Sequence, residues 1–479
     1  MATTERTPID TTVRLSLPTM TAMVVGGTVG AGVFSLPRRF ATETGVQGAL
    51  VAWTIAGLGM LMLAFVFQNL AVRKPELDSG VYAYAKAGFG EYIGFFSAFG
   101  FWASTCVGNV TYWVLITSTL GLAIPAFGAG DTLLAGVVSS VGLWVFYLLV
   151  RRGVREAAAI NRVVTVAKVI PILVFVVICA VLLDPAVLAE NFRAQQIGSL
   201  ADQVRGTMLI TVFVFIGVEG ASVYSRHARR REDVGRATVI GFLSVLAVFA
   251  SVTIVSYGVL PYEEIAELQQ PSMAGVLQAA VGTWGAAFVS VGLVVSVLGA
   301  YLAWTLMAAE VLFVAAKDRD MPRFLARSND RDVPTTALLM TAVLVQVVLV
   351  LVLFSSDAFD VALDLTVALA LVPYLLSAGY ALRLAVTRET YQGLGSRRTR
   401  DAVVAALATA YTTFMLLAAG ATFLLLSFIL LAPSSILFVM TRREQGRAPF
   451  SRGELVILAV SVLGAVAAVV ALATGAITV

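Results

Sequence analysis

The chain reads as an all-helical integral membrane protein. Three features predict this. Of its 479 residues 59% are hydrophobic and only 13% charged, its mean hydropathy is +0.90, and its apolar residues gather into runs of about 20, enough to cross about 30 Å of hydrocarbon. A soluble domain has no interior that could bury so much apolar side chain.

Residues 1–17 are polar, with Asp10, Arg14 and several threonines, and are expected to form a cytoplasmic N-terminal segment. They lack the charged start, short apolar stretch and small-residue cleavage site of a secretory signal, so no cleaved signal is expected. The apolar runs that follow fall near 19–40, 47–72, 93–123, 132–150, 161–183, 204–225, 237–260, 276–315, 335–355, 360–386, 402–423, 424–441 and 454–477. About thirteen transmembrane helices result, with soft divisions inside 93–123, 276–315 and 402–441.

The loops between these runs set the orientation. Alternate loops carry Arg151, Arg152, Arg155 and Arg162; Arg226, Arg229, Arg230, Arg231 and Arg236; Lys317, Arg319, Arg323, Arg327 and Arg331; Arg388, Arg397, Arg398 and Arg400; and Arg442, Arg443, Arg447 and Arg452. These loops are expected on the cytoplasmic side. The intervening ones hold Glu263, Glu264 and Glu267, or Asp357 and Asp360, with hardly any Lys or Arg. Counting through the spans puts the N-terminus inside and the C-terminus outside the cell inner membrane. Topology thus accounts for the pI near 9.1, and without a base-stacking or groove-reading motif no nucleic-acid partner is expected. The lipid bilayer is the expected surrounding.

Other chemistries find little material. Cys106 and Cys179 both fall inside apolar runs and are expected as inert thiols, and one histidine, His227, gives a zinc site nothing to build on. No metal or cofactor is expected, and polar stretches under about 20 residues leave no room for a catalytic domain outside the membrane. Asn109 begins an Asn-Val-Thr triplet that cannot be glycosylated inside an apolar span. The glycine-rich first run is no phosphate loop, since no strand precedes it and the Lys-Ser/Thr ending is missing.

Two spans share a peculiarity. The first is interrupted by Gly26, Gly27, Gly30 and Gly32, and the sixth by Gly217 and Gly220. Glycine costs a helix interior about 1 kcal/mol relative to alanine, and a single cluster could serve only close helix packing. Two clusters five spans apart suggest an inverted pair of repeats, spans 1–5 and 6–10, in which discontinuous helices carry the binding site. Residues 18–386 then form a transport core, with repeats at about 18–183 and 204–386, and 387–479 form peripheral helices. An unwound segment frees N–H groups at the start of one half-helix and C=O groups at the end of the other. A carboxylate suits the first and an ammonium the second, and an amino acid has both.

At these residues the sequence resembles the amino acid–polyamine–organocation superfamily, and within it the basic amino acid/polyamine antiporters such as the arginine/ornithine and arginine/agmatine exchangers. The likeness covers roughly residues 15–440. It rests on 24–37 (VVGGTVGAGVFSLP), 213–222 (FVFIGVEGAS) and 304–324 (WTLMAAEVLFVAAKDRDMPRF), with support from 75–89 and from Gly108 and Asn109. A thirteenth span departs from the commoner twelve. The resemblance implies a LeuT-like fold of five plus five helices, discontinuous at helices 1 and 6, and admits a homodimer. It further implies that backbone at Thr28, Gly30, Ala31 and Gly32 takes the substrate carboxylate, and that the segment from Phe213 through Ile216 to Gly217 takes the α-ammonium. Phe213 stands where the arginine/agmatine exchanger has a gating tryptophan. Trp304 matches a tryptophan that stacks on the cationic end of the substrate, Asn109 a polar contact and Thr366 a serine lining the same subsite.

Charged side chains at membrane depth call for a reason, because each costs about 2.5–3.5 kcal/mol on insertion scales. Glu219 lies in the second break; the resemblance makes it a proton-sensitive gate, and the alternative is a protonated structural tie. Lys168 lies about 9 Å along its helix from Arg162 and could snorkel to the cytoplasmic surface. Proton-coupled members of the superfamily carry a lysine there where sodium-driven ones bind an ion, which implies sodium-independent transport. Glu310 follows Trp304 by six residues, about 120° around a helix, on a neighbouring face. It is a counter-charge for a dibasic substrate or an ion-pair lock with a loop arginine. Asp131 and Asp364 are expected at the membrane interface. Trp304, if it does not stack on a cation, packs against lipid or core.

The resemblance therefore implies a secondary transporter that exchanges a cationic amino acid or polyamine by alternating access, arginine against ornithine, without enzymatic activity. A proton-coupled uptake permease for lysine or another amino acid is the alternative. A channel needs a pore-lining ring or filter repeat, and a membrane-embedded enzyme needs His, Cys or paired Asp at depth; neither pattern is present.

Overall fold

A computed structural model describes residues 16–77, 81–153, 157–217, 231–355, 357–391 and 395–477, without the side chains of Thr19, Met23, 157–167 and 231–234. Glu219 and His227 lie outside the described residues. Ten described helices are long and apolar enough to cross a membrane, or eleven when the bent first pair counts as one span. The sixth expected span starts on Leu200–Phe215, which stops being helical at Ile216. The fifth runs within Ala157–Val181.

Glycine and proline punctuate the long runs. The run 93–123 is a single helix, Glu91–Gly121. The run 276–315 divides at Gly282, where φ is +86°, into Ser272–Val281 and Thr283–Lys317. Gly420, with φ at +75°, separates Gly395–Ala418 from Gly420–Glu444, a few residues before the expected division at 423. A glycine tolerates that backbone and ordinary residues do not. A nine-residue helix, Val81–Phe89, lies between the second and third spans and was not foreseen, being too short to register as a span.

Burial ranks the helices from centre to edge. The most apolar stretch of Glu91–Gly121 is 89% buried, whereas that of Arg452–Ala473 is 11% buried. The central helix packs chiefly on Ala358–Thr387 and Thr283–Lys317, and the last helix chiefly on Gly420–Glu444. An aromatic column steadies the region where the sixth span ends: Phe40 stacks on Trp53 at 5.1 Å, Trp53 meets Phe215 edge-on at 6.1 Å, and Phe215 lies 4.9 Å from Phe242. Rings at these separations contribute packing and a preferred orientation together. Cys106 and Cys179 are free and buried.

Ion pairs mark both faces. On the acidic side Arg38 reaches Asp357 at 3.2 Å, and Arg39 reaches Asp360 at 2.8 Å and Asp364 at 2.7 Å. Asp364, expected at the interface, is thus a half-sheltered partner two turns into its helix, while Asp131 is exposed in a turn. On the arginine-rich side Arg73 pairs with Asp401 at 2.7 Å and lies over the Tyr391 ring at 3.6 Å. There too Arg442 bridges Glu91 and Glu454 at 3.0 and 2.9 Å.

Candidate functional site

The first span breaks where its glycines stand. Helix Leu17–Thr28 ends with Val29 in extended backbone, a short 3-10 turn follows at Gly32–Ser35, and the chain resumes as Leu36–Glu43, bent by 47° from the first piece. Across this gap the amides of Gly30, Ala31 and Gly32 make no hydrogen bond among the described residues. They stand before a helix start and therefore form a place for negative charge.

The end of the first piece faces the opposite requirement, and a lysine meets it. Lys168, 3% exposed, donates its ammonium to the Gly26 carbonyl, capping a helix C-terminus where positive charge is favoured. Lys168 thus points into the protein instead of snorkelling. The Thr28 hydroxyl donates back to the Val24 carbonyl at 2.9 Å.

The helix Leu200–Phe215 ends beside this break. Ile216 leaves the helix with ψ at 128°, and Gly217 has φ at +110°, a conformation that L side chains seldom adopt. The two interruptions are in contact through glycine at both ends. A Cβ on Gly217 would lie 2.9 Å from the Gly27 carbonyl oxygen, and a Cβ on Gly32 would lie 2.8 Å from the Phe213 ring. Each glycine admits a close approach that any larger residue would block. Residues 218–220 of this break are outside the described residues.

Between the first break and the end of the helix Leu200–Phe215 runs a slot with a cavity volume of about 40 Å³. It is narrow in this conformation. Backbone from Thr28 to Gly32, the end of the sixth span at Phe213 and Ile216, and the side chains of Asn109, Trp304 and Thr366 all line it. The structure therefore brings together every residue expected to bind substrate except Gly217, which sits immediately behind the wall. Asn109 is fully buried. Its Nδ2 donates to Thr305 Oγ1 at 3.2 Å, and its Oδ1 has no partner among the described residues. A buried acceptor in that condition awaits a donor.

Several lining residues escaped the sequence reading: Phe101, Ser104, Thr105, Tyr112 and Phe249. Ser104 donates to the Thr366 carbonyl at 2.8 Å, which ties the third span to the tenth. Aspartate and glutamate are missing from the described lining residues. A cationic group there would meet the Trp304 face, Asn109 Oδ1 and main-chain oxygens. Glu310 lies elsewhere, in a separate cleft with Val150, Met307 and Val333.

A model of the amino acid permease family matches residues 15–420. The chain belongs to the amino acid permease family. This permease is 48% identical to an arginine/ornithine antiporter of Pseudomonas aeruginosa, over 97% of this chain and 98% of that one. It is 40% identical to an L-lysine transport protein of Corynebacterium glutamicum, over 97% and 96%. An arginine/agmatine antiporter of Chlamydia pneumoniae is 34% identical over 96% of each chain. The permease is a multi-pass membrane transporter and not an enzyme.

Proposed function

We propose that this permease exchanges cationic amino acids, arginine against ornithine, across the cell inner membrane by alternating access. One observation carries the proposal: the amides of Gly30, Ala31 and Gly32, which make no hydrogen bond among the described residues, line one slot together with the end of the helix Leu200–Phe215, Trp304 and an Asn109 Oδ1 that has no partner among the described residues. An α-amino acid offers a carboxylate to the amides and an ammonium to the carbonyls. A guanidinium or second ammonium then meets the indole face, for about 0.5–2 kcal/mol, and donates to Asn109. The names of the 48% and 34% identical relatives support a dibasic substrate.

The remaining architecture of the proposal is a core of inverted repeats at about 18–183 and 204–386, thirteen spans, a cytoplasmic N-terminus and an external C-terminus. Lys168 stands where an ion would otherwise neutralise the Gly26 carbonyl, which supports sodium-independent transport. Together with Glu219 it would form the proton-sensitive part of the gate. Glu310, in its separate cleft, is left out of that role.

The rival is proton-driven uptake, for which the L-lysine transport protein at 40% identity favours lysine as the substrate. Counterflow in proteoliposomes separates the two. Labelled arginine should enter vesicles preloaded with ornithine and stay out of empty ones. Uptake into empty vesicles driven by a proton gradient alone would favour the rival.

A further inference from the structure

Apart from the slot, a cavity of about 310 Å³ opens between the helices Leu133–Arg151, Thr283–Lys317 and Thr335–Val352. Its walls are apolar, with Val150, Leu306, Met307, Val333 and Leu338, and it contains one charged group, the Glu310 carboxylate. Glu310 is exposed there. It has no hydrogen bond or ion pair among the described residues.

The depth of Glu310 follows from helix length. Thr283–Lys317 has 35 residues and rises about 52 Å, which exceeds a hydrocarbon core of about 30 Å by about 11 Å at each end when centred. Glu310 precedes Lys317 by about 10 Å, so it sits where hydrocarbon gives way to headgroups. Val150 next to the end of its helix and Pro334 before the start of Thr335–Val352 fit the same level.

Arginines adjoin the cleft along the chain, Arg151 and Arg152 following Val150 and Arg331 shortly preceding Val333. Asn329 Nδ2 donates to the Arg151 carbonyl at 2.9 Å, and the Arg331 guanidinium donates to the Arg152 carbonyl. This staples the end of one helix to the approach of another. Arg151, Arg152 and Arg331 are all exposed.

We propose that this cleft binds a phospholipid with a primary-ammonium head from the leaflet on the arginine-rich side. Its ammonium pairs with Glu310, its phosphate with the arginine rim, and its acyl chains lie along the Val, Leu and Met walls. Each part answers a need: a carboxylate turned toward lipid is costly without a cation, and basic pockets between membrane helices hold lipid phosphates. A head carrying both charges at similar depth matches a cleft carrying both counter-charges. A trimethylated head lacks the N–H donors for a charge-assisted hydrogen bond.

The test is native mass spectrometry of the full chain from nanodiscs holding equal amounts of phosphatidylethanolamine and phosphatidylcholine. The wild type should retain the ethanolamine lipid about fivefold over the choline lipid, the ratio of one exposed ion pair. Glu310→Gln should bring that ratio near one, and Glu310→Asp should keep part of it. On the wild type alone, stepwise N-methylation of the headgroup should lower retention in order. Equal retention of both lipids by the wild type, an unchanged preference in Glu310→Gln, or displacement of the lipid by free arginine would overturn the proposal.

Discussion

Gly217 sits against Gly27 where the break of the first span meets the end of the helix Leu200–Phe215: a Cβ on Gly217 would stand 2.9 Å from the Gly27 carbonyl oxygen, and φ at Gly217 is +110°. Both the contact and the backbone conformation exclude a side chain. Gly217→Ala is expected to destabilise the permease by about 1–3 kcal/mol, lowering its melting temperature in detergent, and to reduce arginine exchange more than tenfold. Gly453→Ala, built into open space, is the control and should change neither. A Gly217→Ala protein that melts and transports like the control would mean that the breaks do not need to touch.

Lys168 donates a hydrogen bond to the Gly26 carbonyl, where other members of the fold would hold an ion. Replacing external sodium with choline should therefore leave arginine exchange unchanged, while Lys168→Met should lower it at least tenfold, because a buried carbonyl loses its partner and a helix end its charge. A several-fold fall in wild-type exchange on sodium removal contradicts the assignment.

Much of this arrangement is legible in the sequence, for physical reasons. Glycines in the middle of a membrane span are costly, so the two clusters advertise the breaks before any contact is known. The six-residue spacing of Trp304 and Glu310 already separates them by face, and the structure keeps them in different cavities. What stays hidden is pairing across the chain. Ser104, Thr105 and Tyr112 lie on a helix that is apolar and buried on nearly every side, so no periodicity singles out the face toward the slot. Arg39 meets Asp360 and Asp364 more than three hundred residues away, a match only the folded chain makes.

Asp320, in the loop after Thr283–Lys317, pairs with Lys86. Burial raises its carboxyl above the ordinary 3.8, against the lowering effect of the Lys86 hydrogen bond and charge. A raised carboxyl binds its proton more tightly folded than unfolded, so its contribution is largest at low pH and is lost as pH rises from 3.8 through the folded value. The melting temperature of the wild type minus that of Asp320→Asn should therefore fall across that window and level off above it. A difference that grows with pH would show the carboxylate to be the favoured form.

Trp304 and Glu310 should separate in a binding assay. Trp304→Leu is expected to weaken dibasic substrates by about 2- to 30-fold, the range of a lost cation–π contact, and Glu310→Gln by less than twofold. Equal losses would return Glu310 to the substrate pathway.

A structure determined with L-arginine bound tests the central claim most directly. The α-carboxylate is expected within about 3.2 Å of the amides of Gly30, Ala31 or Gly32, with the α-ammonium on main-chain oxygens near Phe213 and Ile216 and the guanidinium over Trp304. Density that puts the carboxylate on side chains away from residues 30–32, with those amides still unpaired, would contradict it.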